Sequence, residues 1–382
     1  MKSIVKYVIA RILKHGNGWV NMTQIRLVLA DLDQMFLEKF SAYLHKNKSV
    51  SFQLELFTSP SKLENWLEKG DKADLVAISS SFLSKMDTQL DLKNLVVLKD
   101  SPQSQFPQNY ATLHKYRPAE TLMKEILSLC ADNLTESLDK KESSGQMHLV
   151  LYADGSDVLN PMAQALTCFY AKNHQPPFYL NLDEFSNTDM YFTGNHTRGL
   201  SEMLYYVKSQ KDNLSLKAEA CSTRDFEYGV EFMKGHQNSE DIVKLSPVDC
   251  ESLIKAIRGR ACYSEIILSR AFHNDELLPL LVQEAHKIYI TLLDYPTSHD
   301  RLKKIITLLN RLEERMSLVL KEKVLICVTR LNKESSANTQ DIPHYRMVYL
   351  PLPNEEGADF FPPSKEYQSA LESILAQAST RV

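Results

Sequence analysis

The sequence predicts an α/β fold: two doubly wound, mostly parallel sheets, one after the other along the chain. Three observations carry this. Short apolar runs at 25–30 (broken only by Arg26), 75–78 and 324–328 read as buried strands. Segments with apolar residues at helical spacing separate such runs, and that alternation implies parallel strands joined by crossover helices. A polar, charged stretch, NLTESLDKKESSGQ at 133–146, divides the series in two and has the composition of a linker.

In the first series the run 25–30 is followed by Phe36, Phe40, Tyr43 and Leu44, the inward stripe of a helix. Phe52, Leu54 and Leu56 alternate as a strand does. Ser59-Pro60 reads as an N-cap followed by proline at the first helical position, with Leu63, Trp66 and Leu67 as the apolar face. Segments 75–78, 95–98 and 110–116 are three more strands. Pro118 opens a helix that turns Leu122, Met123, Ile126 and Leu127 inward.

The second series begins at Met147, with a strand at 149–152, a helix at 161–172 and a strand at 178–182. A helix carrying Leu200, Met203, Leu204 and Val207 follows, then one opened by Ser246-Pro247 and ending at Gly259. Strands at 265–268, 288–293 and 324–328, a long helix at 300–316, a strand near 348–350 and a closing helix at 364–378 complete it. The charges of the long helix, Arg301 among them, read as a solvated face.

The 382 residues carry a net charge of −4, which gives no electrostatic reason to expect nucleic-acid binding. Six cysteines at 130, 168, 221, 250, 262 and 327 form no C-x-x-C pair and read as buried thiols in a reducing compartment. The histidines show no metal-ligand spacing, so no metal site is expected, and His148 reads as a surface or edge residue. No G-x-S-x-G elbow is present. One of Tyr205 and Tyr206 is expected to face the core. The first twenty residues place Ile4, Val5, Val8, Ile9, Ile12 and Leu13 at helical spacing among Lys2, Lys6, Arg11 and Lys14, a membrane-surface signal and not a secretory signal peptide. Two other readings stay open for it: a helix packed on the domain behind it, or translation from an upstream start, since Met22 directly precedes the first strand.

In open parallel sheets function gathers at the carboxyl ends of the strands. In the first series those ends carry Asp31, Leu32 and Asp33, then Ser79, then Lys99, with Arg117 before Pro118. Over residues 24–130 this resembles the receiver domain of response regulators. The resemblance implies an acidic pair for magnesium, a phosphoacceptor Asp and a Lys-Pro. Here Leu32 replaces the second acid, Ser79 stands at the phosphoacceptor position and Arg117 stands where the lysine belongs. A serine forms no acyl phosphate, so Ser79 is not expected to be phosphorylated, and a pseudo-receiver kept for contacts is expected.

After the strand 149–152 come Asp154, Gly155, Ser156, Asp157, Leu159 and Asn160. In place and length they resemble the phosphate loop of ParA/MinD-class ATPases, whose glycines, lysine and hydroxyl hold phosphates and magnesium. Here one glycine remains and Leu159-Asn160 occupy the Lys-Ser/Thr positions. Asp183 resembles that family's water-positioning Asp. Ser269, in YSEIILSRAF at 263–272, stands where the Walker B acid would be.

A receiver-like domain before a ParA/MinD-like one resembles the TadZ/CpaE family of tight-adherence (Flp-type) pilus assembly proteins, as do the stretches 178–192, 199–216 and 263–272. The expected organisation is an amphipathic segment 1–22, a pseudo-receiver 23–130, a linker 131–146 and a ParA/MinD-like domain 147–382 with a degenerate P-loop. The expected function is a non-catalytic scaffold or localisation factor of such a pilus or a related secretion system. It would be cytoplasmic or peripheral to the inner face of the cell membrane, with proteins of that apparatus and a second copy as partners and no cofactor. The alternatives are a positioning ATPase that binds ATP and magnesium through an atypical loop, or a signalling regulator that uses the pseudo-receiver as a dimer interface.

Overall fold

The computed structural model describes residues 24–46, 50–86, 90, 92–101, 110–134, 145–155, 157–195, 198–260, 262–331, 345–354 and 361–379. The amphipathic segment, most of the linker and Ser156 lie outside the described residues.

The first sheet is built from β1 (Gln24–Ala30), β2 (Ser51–Phe57), β3 (Leu75–Ser79), β4 (Leu95–Lys99) and β5 (Ala111–His114). Its order is β2-β1-β3-β4-β5, every pairing parallel. This is the flavodoxin-like order, with its switch point between β1 and β3. Helices α1 (Gln34–Lys46), α2 (Pro60–Glu68), α3 (Ser80–Leu83) and α4 (Ala119–Asn133) accompany the strands. Pro60 does open α2, but Ser59 makes no side-chain cap; its hydroxyl lies 3.1 Å from that of Ser61. The two faces of the sheet bury separate apolar clusters, one around Leu27, Phe40 and Leu127, the other around Val28, Leu63 and Phe82.

The second sheet begins with β6 (Gln146–Tyr152), α5 (Met162–Lys172), β7 (Pro177–Asn181), α6 (Thr188–Tyr191), α7 (Leu200–Lys208) and α8 (Leu214–Cys221). A hairpin of β8 (Ser222–Arg224) and β9 (Glu231–Met233) follows, then α9 (Glu240–Val243), α10 (Pro247–Arg258), β10 (Glu265–Ala271) and α11 (Leu277–Glu284). Next come β11 (Lys287–Leu293), α12 (Pro296–Met316), β12 (Val324–Thr329), β13 (Arg346–Leu350) and α13 (Lys365–Ser379). The strand order is β13-β12-β11-β6-β10-β7-β9-β8, and only the β8–β9 pair is antiparallel. The hairpin and α8 were not expected from the sequence. Ser246 caps α10 as expected, accepting the Asp249 N–H at 3.1 Å.

His148 is not at the surface. It is buried in β6, 2.6 Å from the Glu265 carboxylate of the adjacent β10, with Tyr170 and Tyr289 against its ring. Tyr205 is exposed while Tyr206 packs on the core, and five of the six cysteines are buried. No helix of the described residues is long and apolar enough to cross a membrane.

The two sheets meet through α4 and α8. Leu216 and Ala220 of α8 are buried in the same cluster as Leu122, Ile126 and Cys130 of α4. Lys217 is fully buried, its ammonium 2.9 Å from the Ser128 carbonyl and 2.8 Å from Asp132. Lys124 of α4 donates to the Ser222 carbonyl and pairs with Glu120 at 3.0 Å. A buried lysine holds its charge only with such partners, so these bonds fix where α8 docks.

Candidate functional site

The carboxyl edge of the first sheet gathers one cation and three acids. β1 delivers Asp31 and Asp33, β4 delivers Asp100, and the residue after β5 is Lys115. Its ammonium lies 2.7 Å from Asp31, 3.4 Å from Asp100 and 3.8 Å from Asp33. Burial alone would lower the Lys115 pKa, but the hydrogen bond and charge of Asp31, with Asp100 behind them, raise it. Asp100 accepts from the Ser80 hydroxyl at 2.7 Å and the Ser81 N–H at 2.9 Å, and those bonds outweigh desolvation to hold its pKa low. The sequence placed Arg117 at this position. Arg117 instead points to Glu125 on α4, and Lys115 is the cation at the centre. Lys99 ends β4 rather than following it. Ser79 is fully buried and accepts the Phe82 N–H at 3.3 Å, so it caps α3.

The carboxyl edge of the second sheet holds the loop 153–161. Gly155 adopts φ +82°, the left-handed region where a side chain would be strained. Asp154 is tied down: its carboxylate accepts the Leu293 N–H at 2.8 Å and faces Arg301 at 3.5 Å. Arg301 also donates to the Ala153 carbonyl at 2.9 Å, so this residue of α12 serves the loop rather than only a solvated face. Asp157 turns inward, and Gln164 of α5 donates to its carboxylate at 2.7 Å. The nearby Tyr191 and Asn187 side chains also favour its charged form. Desolvation nonetheless raises its pKa.

From Gln164 the network continues to the Tyr179 hydroxyl at 3.0 Å and on to the Ser269 hydroxyl at 3.0 Å. The register places Ser269 between Val150 of β6 and Asn181 of β7, fully buried. Leu159 is on the surface. Asn160 is buried and accepts from the Tyr367 hydroxyl of α13 at 3.1 Å, while its side-chain N–H₂ has no partner among the described residues. Asp183 caps the strand next door by accepting the Ala271 N–H. Burial pushes its carboxyl up to about 6, the Ala271 hydrogen bond opposing, with the Asp157 charge adding to the rise and Arg270 opposing it.

Most of these positions could be read from the sequence, but Gln164, Tyr179, Tyr367, Lys115 and Asp100 were missed. For Lys115 a signal existed: a buried acid directly after a buried strand requires a cation, and Lys115 follows β5. A triphosphate with magnesium needs cationic and N–H donors around its oxygens and an acid on the metal. The loop offers no Lys or Arg, it turns Asp157 inward, and Ser269 supplies no carboxylate. Among the described residues no cluster of three or more His, Cys, Asp or Glu could hold a metal ion.

No protein-family model matches the chain, and no curated protein matches it. Solved structures do. A ParA family ATPase from Chlorobium tepidum TLS is 17% identical with a TM-score of 0.45, the match covering 61% of this chain and 99% of that one. The MinC:MinD cell division protein complex of Aquifex aeolicus gives 14% identity, a TM-score of 0.47 and coverages of 61% and 96%. A plasmid partition protein from Borrelia burgdorferi, bound to AMPPNP, gives 15%, 0.43, 62% and 99%.

Proposed function

We propose that this chain is a non-catalytic scaffold, a receiver-like and a ParA/MinD-like unit of the TadZ/CpaE kind whose two sheet edges are closed by their own side chains. The observation that carries the reading is the chain Asp157–Gln164–Tyr179–Ser269, internal hydrogen bonds that run from the loop to the strand position where a metal-binding acid would be needed. Lys115 supports it at the other edge, where a fixed ammonium sits among acids that would otherwise attract a divalent cation. With both edges closed, what remains for function is surface: contact with proteins of a pilus or secretion apparatus at the cytoplasmic side of a membrane.

Titration of the full chain with Mg-ATP, followed by thermal unfolding, tests this. A ligand present at 100 times its dissociation constant stabilises by about 2.7 kcal/mol, and no such shift is expected at millimolar Mg-ATP. A saturable shift, with phosphate released faster than by an Asp183→Ala variant, would replace this reading by the positioning ATPase. The retained Asp183 is the observation that favours that second reading.

A further inference from the structure

Two loops at the carboxyl edge of the second sheet expose large apolar side chains. Phe185 is 77% exposed and Met190 82%, after β7; Val158 is 47% and Leu159 36% exposed, after β6. The loops lie at the same edge: they follow β6 and β7, which flank β10, and Met162 and Tyr191 at their ends join one apolar cluster. Single exposed apolar residues need no explanation, but four on two loops at one sheet edge call for one. Its charge is one-sided. Segments 153–161 and 182–195 contain Asp154, Asp183, Glu184 and Asp189, beside the inward-turned Asp157, and no Lys or Arg. The cations that approach come from elsewhere: Arg301 at 3.5 Å from Asp154, Lys234 at 3.8 Å from Asp189, and Arg270, whose charge acts on Asp183.

The same chain holds the complement. Residues 1–14 carry Lys2, Lys6, Arg11 and Lys14, no acid, and six aliphatic residues at helical spacing. We propose that the segment 1–14 docks on the face formed by Val158, Leu159, Phe185 and Met190, its aliphatic side on theirs and its cations among the acids of the two loops. Apolar burial supplies the affinity, and the opposite charges supply register and salt sensitivity.

Hydrogen exchange on the full chain tests this against a chain lacking residues 2–20 and against the surface variant Phe185→Lys/Met190→Lys, whose segment is intact. In the full chain the peptides covering 153–161 and 183–191 should exchange several-fold more slowly than in the shortened chain. Residues 2–14 should themselves be protected, and lose that protection in the surface variant. Buried strands such as β6 and β10 should exchange alike in all three, which shows that each still folds. Equal exchange of the loops with and without the segment overturns the proposal. So does loop protection that survives the deletion and disappears on dilution, which would give the face to a second copy. Binding of the full chain to anionic phosphatidylglycerol vesicles through residues 2–14, with the loops indifferent to the deletion, would give the segment to a membrane and overturns it as well.

Discussion

The ammonium of Lys115 lies 2.7 Å from the carboxylate of Asp31, and both side chains are almost completely buried. Each is tolerable only because of the other. Removing one partner of a buried pair leaves an uncompensated charge and costs about 3–5 kcal/mol. Lys115→Met should therefore destabilise the chain by about that much in urea unfolding, with Asp33 and Asp100 adding to the repulsion. Combining it with Asp31→Asn should recover part of the loss. Equal stability of Lys115→Met and the natural chain would show that the pair is not what holds this edge.

Ser79 should not accept a phosphoryl group. Its hydroxyl is buried and occupied by the Phe82 N–H, and α3 begins on it. Incubation with acetyl phosphate and magnesium, followed by intact-mass analysis, should show no added phosphoryl on the unit spanning 24–134. Ser79→Ala should cost about 1 kcal/mol through the lost cap while leaving that mass result unchanged.

Asp183 makes stability depend on pH in a defined direction. Its carboxyl is raised from 3.8 to about 6 on folding, chiefly by burial, so the folded chain holds a proton that the unfolded chain has released. The contribution is fully present below about pH 4 and is lost as pH rises through about 6. Asp183→Asn keeps an oxygen for the Ala271 N–H and removes the charge. The variant should raise the melting temperature at pH 8 and change it little at pH 4. A gain that is the same at both values would separate the effect from titration.

The unit spanning 24–134 should not stand alone. Its apolar cluster is completed by Leu216 and Ala220, which arrive on α8. Expressed by itself it should bind a hydrophobic dye and unfold with a broad transition, whereas the full chain should lose both sheets in one. Lys217→Met, which keeps the stem and removes the bonds to Ser128 and Asp132, should lower stability by about 1–3 kcal/mol.

The sheets were legible because their strands are buried on both faces, so β1, β3, β4, β6, β10, β11 and β12 read as apolar runs. The β8–β9 hairpin was not, since each strand is three residues long and carries Thr223, Arg224 and Glu231. Helix α8 shows no apolar stripe because Lys217 and Glu219 are buried beside Leu216 and Ala218. Its polar side chains find partners on α4 and in Arg260, and no local pattern records that. The loop after β6 was found in place, but its state depends on Gln164, Tyr179 and Tyr367, whose contacts to it span up to 207 positions. Periodicity reads neighbours along the chain. His148 was misread for the same reason, since its partner Glu265 is 117 residues away.

The docking of α8 also has a consequence during synthesis. α4 ends at Asn133 and α8 begins at Leu214, roughly 80 residues later on the growing chain. At about 5–20 residues per second, the first sheet leaves the ribosome with part of its core uncovered and waits about 4–16 seconds for Leu216 and Ala220. For that interval the nascent chain carries an open apolar surface of the kind chaperones recognise. The order of translation thus sets a period of exposure that the finished protein no longer shows.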